Sequence, residues 1–125
     1  MIKALSKIFR SDKAARPLPS VPEGERYYIV GDIHGRCDLF AALKDAIEQD
    51  EADTIAKSTV ILLGDLVDRG PDSAGVIALA REWQSRRPMR FLAGNHEEMF
   101  LDSFDDRKVL RHFLKHGGRE TIMSY

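Results

Sequence analysis

The chain has 125 residues, 43% of them hydrophobic, which is enough for one domain with its own core. Its 19 basic and 20 acidic residues give a formal net charge of -1, so no global positive field marks it as a nucleic-acid-binding protein. The single cysteine, Cys37, excludes an internal disulfide, and no apolar run is long enough to span a membrane. We therefore expect one cytoplasmic domain without a transmembrane segment or a nucleic-acid partner. Composition leaves the oligomeric state open.

Residues 1–24 differ in composition from the rest of the chain. They contain five basic residues, two acidic residues and three prolines. Four apolar residues among the first nine would share one helical face, as in a short amphipathic docking segment. A helix this short is not stable in isolation, however. We predict a basic, proline-containing tail or linker over residues 1–24 and a folded domain over residues 25–125.

Three apolar runs that end at glycine predict three β-strands. These strands cover residues 27–30, 59–63 and 90–93. Amphipathic segments between and after the strands predict helices. The first helix begins at Asp38 as its N-cap and is expected to bury a stripe of Leu39, Phe40, Leu43 and Ile47. The later helices cover about 73–86, about 96–104, and a segment from Val109 to Leu114 that stops at Gly117 and Gly118.

The order β-α-β-α-β predicts an α/β fold with three parallel strands side by side, because crossovers between parallel strands are right-handed. A polar cluster follows each predicted strand directly. Asp32 and Asp65 are 33 positions apart, and Asp65 and Asn95 are 30 positions apart, close to the length of one βαβ unit. Each crossover therefore returns the chain to the same sheet edge, where open α/β sheets bind ligands.

The polar clusters carry residue types that bind divalent metal ions. Asp32 and His34 are two positions apart at a strand end, so both side chains can point to one ion. The Asp65 carboxylate has two oxygens and can bridge two cations, and Asn95 offers an amide oxygen. This mixture of carboxylate, imidazole and amide suits manganese, iron or zinc. We predict two divalent ions about 3.5–4 Å apart, a pair that can activate water for phosphoester hydrolysis.

The residues beside these ligands suit the other steps of phosphoester hydrolysis. His96 directly follows Asn95 and can face the substrate, where it would protonate the leaving oxygen as a general acid. Asp68 is the candidate carboxylate that orients this imidazole. Arg69 would bind the substrate phosphate, beside Asn95 and His96. Each residue alone is more often a turn or cap residue, but their combination at one sheet edge favours a metal-dependent hydrolase.

The three clusters read Gly-Asp-Ile-His-Gly, Gly-Asp-Leu-Val-Asp-Arg-Gly and Gly-Asn-His-Glu. Here the chain resembles the calcineurin-like metallophosphoesterases, and among them the phosphoprotein phosphatase branch, which includes small bacterial and phage serine/threonine phosphatases. The resemblance extends from about residue 26 to residue 125. The metal ligands that it implies are Asp32, His34 and Asp65 for the first ion, and Asp65 and Asn95 for the second. The catalytic residues that it implies are His96 as proton donor, Asp68 as its partner and Arg69 as the phosphate ligand.

The resemblance implies a metal-dependent hydrolase of phosphomonoesters in which a hydroxide that bridges two metal ions, with manganese preferred, attacks protein phosphoserine or phosphothreonine. Relatives that act on dinucleotide polyphosphates usually carry Asn in place of Asp68 and Asp in place of Glu97. These two residues therefore favour the protein phosphatase side. A phosphoesterase that acts on dinucleotide polyphosphates or other small molecules is the alternative.

The resemblance also implies an αββα sandwich, of which this chain would supply mainly the first sheet. Family members bind the second ion with two further histidines from a later region, whereas only His112 and His116 follow His96 here. Their i, i+4 spacing is a known metal-binding arrangement, but the dipole of a helix C-terminus also explains them, and we expect no metal site there. We therefore expect a domain truncated before its second sheet is complete, with an exposed apolar sheet face. A non-catalytic remnant or binding module is the third interpretation.

Overall fold

The computed structural model describes residues 17–125, and most of the tail predicted for residues 1–24, including its amphipathic segment, lies outside the described residues. The strands are β1 (Glu25–Val30), β2 (Lys57–Leu62) and β3 (Met89–Phe91). The helices are α1 (Cys37–Glu51), α2 (Ser73–Gln84), α3 (Asn95–Asp102), α4 (Arg107–Phe113) and, after a wide turn at Leu114–Gly118, α5 (Arg119–Ser124). No helix in residues 17–125 has the length and apolar character needed to cross a bilayer.

The three strands form one parallel sheet in the order β1-β2-β3. Val30 pairs with Leu62, and Leu62 pairs with Phe91, so the last residues of the three strands lie side by side. The chain therefore leaves every strand at the same edge of the sheet. The predicted α/β class and the predicted side-by-side, parallel arrangement of the three strands are confirmed.

Helices α1 and α2 cover one face of this sheet. Val60 and Leu62 of β2 are fully buried in a cluster that includes Phe40 of α1 and Trp83 of α2. The two aromatic rings meet edge to face, with their centroids 6.1 Å apart. On the opposite face Tyr27 and Ile29 of β1 are 40% and 63% exposed, so part of the expected apolar face is uncovered. Burial of each large apolar side chain stabilises the covered face by roughly 1.5–3 kcal/mol.

Helix α1 begins differently from the prediction. Its N-cap is Arg36, and the Asp38 carboxylate lies in the first helical turn, where it accepts hydrogen bonds of 2.9 and 2.7 Å from the Arg36 guanidinium. This pairing lowers the pKa of Asp38 to about 2. Leu39 and Leu43 of the predicted stripe are 56% and 41% exposed, whereas Phe40 and Ile47 are buried, so the predicted stripe is only half right.

Gly117 and Gly118 interrupt the helical run of α4, as predicted, but a further helix follows them. Gly117 has a φ of +101°, a left-handed conformation that favours glycine, and a side chain at Gly118 would meet the Phe113 ring at 2.5 Å. The turn directs α5 back against α2, where Ser124 Oγ accepts a 3.0 Å hydrogen bond from the Ala74 amide. Six residues are too few for a periodic pattern, so the sequence did not predict α5.

Replacement of Leu62 by alanine tests this packing. Leu62 is fully buried, so Leu62→Ala leaves a cavity under α1 and α2 and lowers the free energy of unfolding by about 2–5 kcal/mol. Urea denaturation followed by circular dichroism measures the change. Leu101, which is 64% exposed on α3, gives the matched control, and Leu101→Ala changes the free energy of unfolding by less than about 0.5 kcal/mol. Equal losses in the two variants would contradict the assigned core.

Candidate metal centre

The loops that follow β1 and β2 are joined through their backbones. The amides of Ile33 and His34 both donate to the Asp65 carbonyl, at 3.0 and 2.9 Å, and the Gly35 amide donates to the Leu66 carbonyl at 2.9 Å. These bonds fix two of the predicted polar clusters against each other at the carboxyl edge of the sheet. They also satisfy backbone groups that neither strand can pair.

Glycine allows the loop after β3 to approach the loop after β2. Gly64 has a φ of +103°, and a side chain there would clash with the Gly94 nitrogen. A side chain at Gly94 would in turn clash with the Asp65 carboxylate. Only two residues without Cβ atoms fit here, so the glycines that end the predicted strands also bring the second and third clusters together.

Asp32, His34 and Asp65 form a group suited to a divalent cation. Each offers one ligand atom, and these atoms all lie within 4.8 Å of one another. His34 Nδ1 lies 2.8 Å from the Val67 carbonyl oxygen, to which it can only donate, so the neutral ring keeps its lone pair on Nε2. Two carboxylates and one correctly oriented imidazole fit manganese, iron or zinc. The geometry therefore brings together three of the four predicted metal ligands.

The fourth predicted ligand, Asn95, lies at the first position of α3 and is exposed. Together with Arg69 and His96 it lines a cavity of about 460 Å³. The His96 amide donates a 3.1 Å hydrogen bond to Asp65 Oδ1, so the Asp65 carboxylate lies at the start of the helix that carries Asn95. The three residues predicted to bind the substrate phosphate thus line one cavity, which lies beside the potential metal ligands Asp32, His34 and Asp65.

His96 and Asp68 form a buried pair. His96 is 4% exposed, Asp68 is fully buried, and His96 Nδ1 lies 2.7 Å from Asp68 Oδ2. A guanidinium nitrogen of Arg69 lies 3.2 Å from His96 Nε2, and because arginine has only donors, Nε2 accepts and Nδ1 donates its proton to Asp68. The His96 ring meets the His34 ring edge to face at 4.7 Å. The pair therefore lies directly beside the candidate cation site.

Glu97 holds the second and third clusters together, whereas sequence reasoning used it only as part of the family motif. Its carboxylate accepts four backbone hydrogen bonds: from Asp65 at 2.6 Å, Leu66 at 2.6 Å, Val67 at 3.2 Å and Gly94 at 2.9 Å. The bond from Gly94 completes a capping box at the start of α3. A glutamate three residues after the N-cap was the available sequence signal for it. No sequence pattern indicated its hydrogen bonds with the loop after β2.

His112 and His116 line the same cavity as Arg69, Asn95 and His96. Their ring centroids are 3.9 Å apart, and His116 Nδ1 donates a 2.7 Å hydrogen bond to the His112 carbonyl oxygen. The sequence did not predict this position beside the substrate-phosphate residues. Neither histidine belongs to the group of potential metal ligands formed by Asp32, His34 and Asp65.

Burial raises the pKa of the Cys37 thiol, and the neighbouring Asp72 carboxylate raises it further. The thiol therefore stays protonated near neutral pH, which does not suit a thiolate ligand.

A family model described as calcineurin-like phosphoesterase matches residues 25–122. The chain belongs to the calcineurin-like phosphoesterase family. Its parallel sheet, with the polar clusters at the carboxyl edge, is consistent with the first half of the metallophosphoesterase fold, as the sequence resemblance implied.

Three relatives show how far the similarity extends. Serine/threonine-protein phosphatase 1 of Salmonella typhimurium is 42% identical over 77 residues, which are 61% of this chain and 32% of that protein. The asymmetrical bis(5'-nucleosyl)-tetraphosphatase of Oceanobacillus iheyensis is 30% identical over 101 residues, which are 78% of this chain and 39% of that protein. The crystal structure of a "putative diadenosine tetraphosphatase" has a TM-score of 0.50 and 29% identity, over 83% of this chain and 44% of that chain. The chain thus spans less than half the length of each.

Loss of one carboxylate from the group of Asp32, His34 and Asp65 is expected to weaken metal binding. Asp32→Asn removes a charged ligand oxygen and lowers the affinity for Mn²⁺ by at least about tenfold, as measured by isothermal titration calorimetry. Asp38, an exposed carboxylate paired with Arg36, provides the control, because Asp38→Asn leaves the affinity unchanged. A wild-type chain that binds no Mn²⁺, or an Asp32→Asn variant that binds it equally well, would disprove the assignment.

Replacement of Glu97 by glutamine tests the connection between the loops. A carboxamide has one acceptor oxygen, and its NH₂ group would face backbone amides that are themselves donors. Glu97→Gln therefore lowers the free energy of unfolding by about 2–3 kcal/mol, measured by urea denaturation. The exposed neighbour Glu98 is the control, and Glu98→Gln costs less than about 1 kcal/mol of helix-dipole interaction. Similar losses in both variants would show that the four hydrogen bonds do not stabilise the chain.

Proposed function

We propose that this chain carries the metal-binding and acid groups of a metal-dependent phosphoesterase that hydrolyses the phosphoserine and phosphothreonine of proteins. The observation that supports this most strongly is the buried His96–Asp68 pair, which lies beside three potential metal ligands and a guanidinium. Groups suited to proton transfer, metal binding and phosphate binding lie together at this one sheet edge. Metal-dependent phosphoester hydrolysis can use all three.

The metal ligands of the proposal are those predicted from the sequence. Asp32, His34 and Asp65 would hold one divalent cation, and Asp65 together with Asn95 would hold a second. Manganese is the proposed metal, with iron or zinc as alternatives, because the donors are oxygens and imidazole nitrogen. When bound, two such cations lower the pKa of a coordinated water and offset the negative charge of the phosphate.

The remaining residues bind the phosphate and move the proton. Arg69 presents a planar set of donors that matches phosphate oxygens, and a phosphate in the cavity would draw the guanidinium away from His96 Nε2. His96 Nε2 is then free to hold a proton and deliver it to the leaving oxygen. Asp68 accepts the Nδ1–H bond and stabilises the charged ring. The leaving group would extend along the cavity wall formed by His112 and His116.

Two substrate classes compete for this site. The phosphoprotein class is supported by the presence of Asp68 and Glu97, and by the 42% identity with a serine/threonine-protein phosphatase. A dinucleoside polyphosphate is the second candidate, because several of the relatives are bis(5'-nucleosyl)-tetraphosphatases that match a similar share of the chain. A non-catalytic binding module is the third.

Turnover of two substrates separates these candidates. With Mn²⁺ bound, we expect kcat/KM for a phosphoserine peptide to exceed that for diadenosine tetraphosphate by at least about tenfold, and His96→Asn to lower peptide turnover by about 10²–10⁴-fold. The His96→Asn variant is also assayed for Mn²⁺ binding, which it retains. Faster turnover of diadenosine tetraphosphate would favour the second candidate. Bound metal without hydrolysis of either substrate would favour the non-catalytic module.

A further inference from the structure

Asp68 and Arg69 have an unusual backbone conformation. Their φ values are +73° and +69°, in the left-handed region that non-glycine residues rarely adopt. Such residues persist only where surrounding contacts hold them. The local contact is a 2.8 Å hydrogen bond from the Gly70 amide to the Asp68 carbonyl. The other contacts must therefore come from elsewhere in the chain.

Most of these contacts come from the last ten residues of the chain, and one comes from Ser73 at the start of α2. The Arg69 amide donates to the Gly117 carbonyl at 3.1 Å, and the Asp68 amide is shared between Thr121 Oγ1 at 2.8 Å and Ser73 Oγ at 3.0 Å. A side chain at Gly117 would come within 2.6 Å of the Arg69 nitrogen, so the turn before α5 lies directly against this segment. The C-terminal turn and helix thus hold the backbone of both residues.

The Thr121 hydroxyl also reaches the Asp68 carboxylate. Thr121 is fully buried, and its hydroxyl donates a 2.6 Å hydrogen bond to Asp68 Oδ1. Because this bond uses the only Thr121 hydroxyl proton, the 3.0 Å contact with Ser73 has Ser73 as the donor. Asp68 Oδ2 remains for His96 Nδ1. Each carboxylate oxygen therefore has one partner of its own.

We propose that Thr121 is a positioning residue for the His96 acid. Its hydroxyl fixes the rotation of the Asp68 carboxylate, so that Oδ2 points to His96 Nδ1 and orients the ring toward the leaving group. This inference rests on the proposed role of His96, but the hydrogen bonds that carry it are independent of any substrate. Valine has the shape of threonine without the hydroxyl, so Thr121→Val removes only the bond to Asp68 and the acceptor for Ser73 and the Asp68 amide.

Substrates with different leaving groups test this role in the Mn²⁺-loaded chain. A serine alkoxide needs protonation by His96, whereas nitrophenolate leaves with little help from an acid. We expect Thr121→Val to lower kcat for a phosphoserine peptide about 10–100-fold, with kcat for p-nitrophenyl phosphate within about threefold and KM for both within about twofold. Thr121→Ser keeps the hydroxyl and restores the peptide kcat to within about threefold of wild type.

Ser124 supplies the matched control on the same helix. Its hydroxyl accepts a hydrogen bond from the Ala74 amide, donates one to the Thr121 carbonyl within α5 and has no hydrogen bond with Asp68, so Ser124→Ala weakens the docking of α5 without removing the Thr121 hydroxyl and lowers the two kcat values equally or not at all. Equal losses on both substrates in Thr121→Val would overturn the proposal, because Thr121 would then act only through folding. Failure of Thr121→Ser to restore the peptide kcat would overturn it as well.

A measurement on the metal-free chain separates this inference from the proposed function. The His96 Nδ1 proton, held by Asp68, should give a downfield proton NMR signal in wild type and in Thr121→Ser, and exchange at least about tenfold faster with water in Thr121→Val. An unchanged signal in Thr121→Val would overturn the proposal. If the wild-type chain hydrolyses neither substrate, the proposed function fails, while this signal still decides whether Thr121 holds the pair.

Discussion

The carboxylate of Glu97 is the interaction on which the site depends. It accepts four backbone amides, three from the loop after β2 and one from the start of α3, and these amides have no partner in any strand or helix. Without this acceptor the two loops would separate or leave buried donors unpaired. The loop that carries Asp65 and Asp68 would then no longer lie against the start of α3, and His96 would lose its position beside Asp68. One side chain thus connects the candidate cation site to the candidate acid.

The site residues adopt backbone conformations that are unfavourable in isolation. His34, Asp65, Asp68 and Arg69 all have positive φ values, between +45° and +73°. Each such residue costs on the order of 1–3 kcal/mol, which the surrounding hydrogen bonds must offset. The fully buried Asp68 carboxylate illustrates the same principle, because it keeps partners on both oxygens. The geometry of the site is therefore a property of the whole edge of the sheet.

The sequence predicted the strands, their order and the polar clusters, because a glycine after an apolar run carries a strong local signal. The proximity of Asp32, His34 and Asp65, and of His96 and Asp68, followed from the parallel sheet and is present. The N-cap at Asp38 was wrong, because Arg36 binds that carboxylate on the surface of the helix instead. The contacts of Glu97 and Thr121 were beyond prediction, since they join side chains to backbone groups 30 to 53 positions away, where no periodic pattern points to a partner.

The bond between Thr121 and Asp68 has a consequence for the order in which the chain matures. Synthesis proceeds from the N-terminus, and a domain generally folds as a unit. Asp32, His34 and Asp65 are all made before β3, whereas the hydroxyl that faces Asp68 follows 53 residues after it. The ligands of the candidate cation site are therefore all synthesised well before the group that gives the buried carboxylate its second partner. The arrangement of the His96–Asp68 pair is complete only once the C-terminal helix is in place.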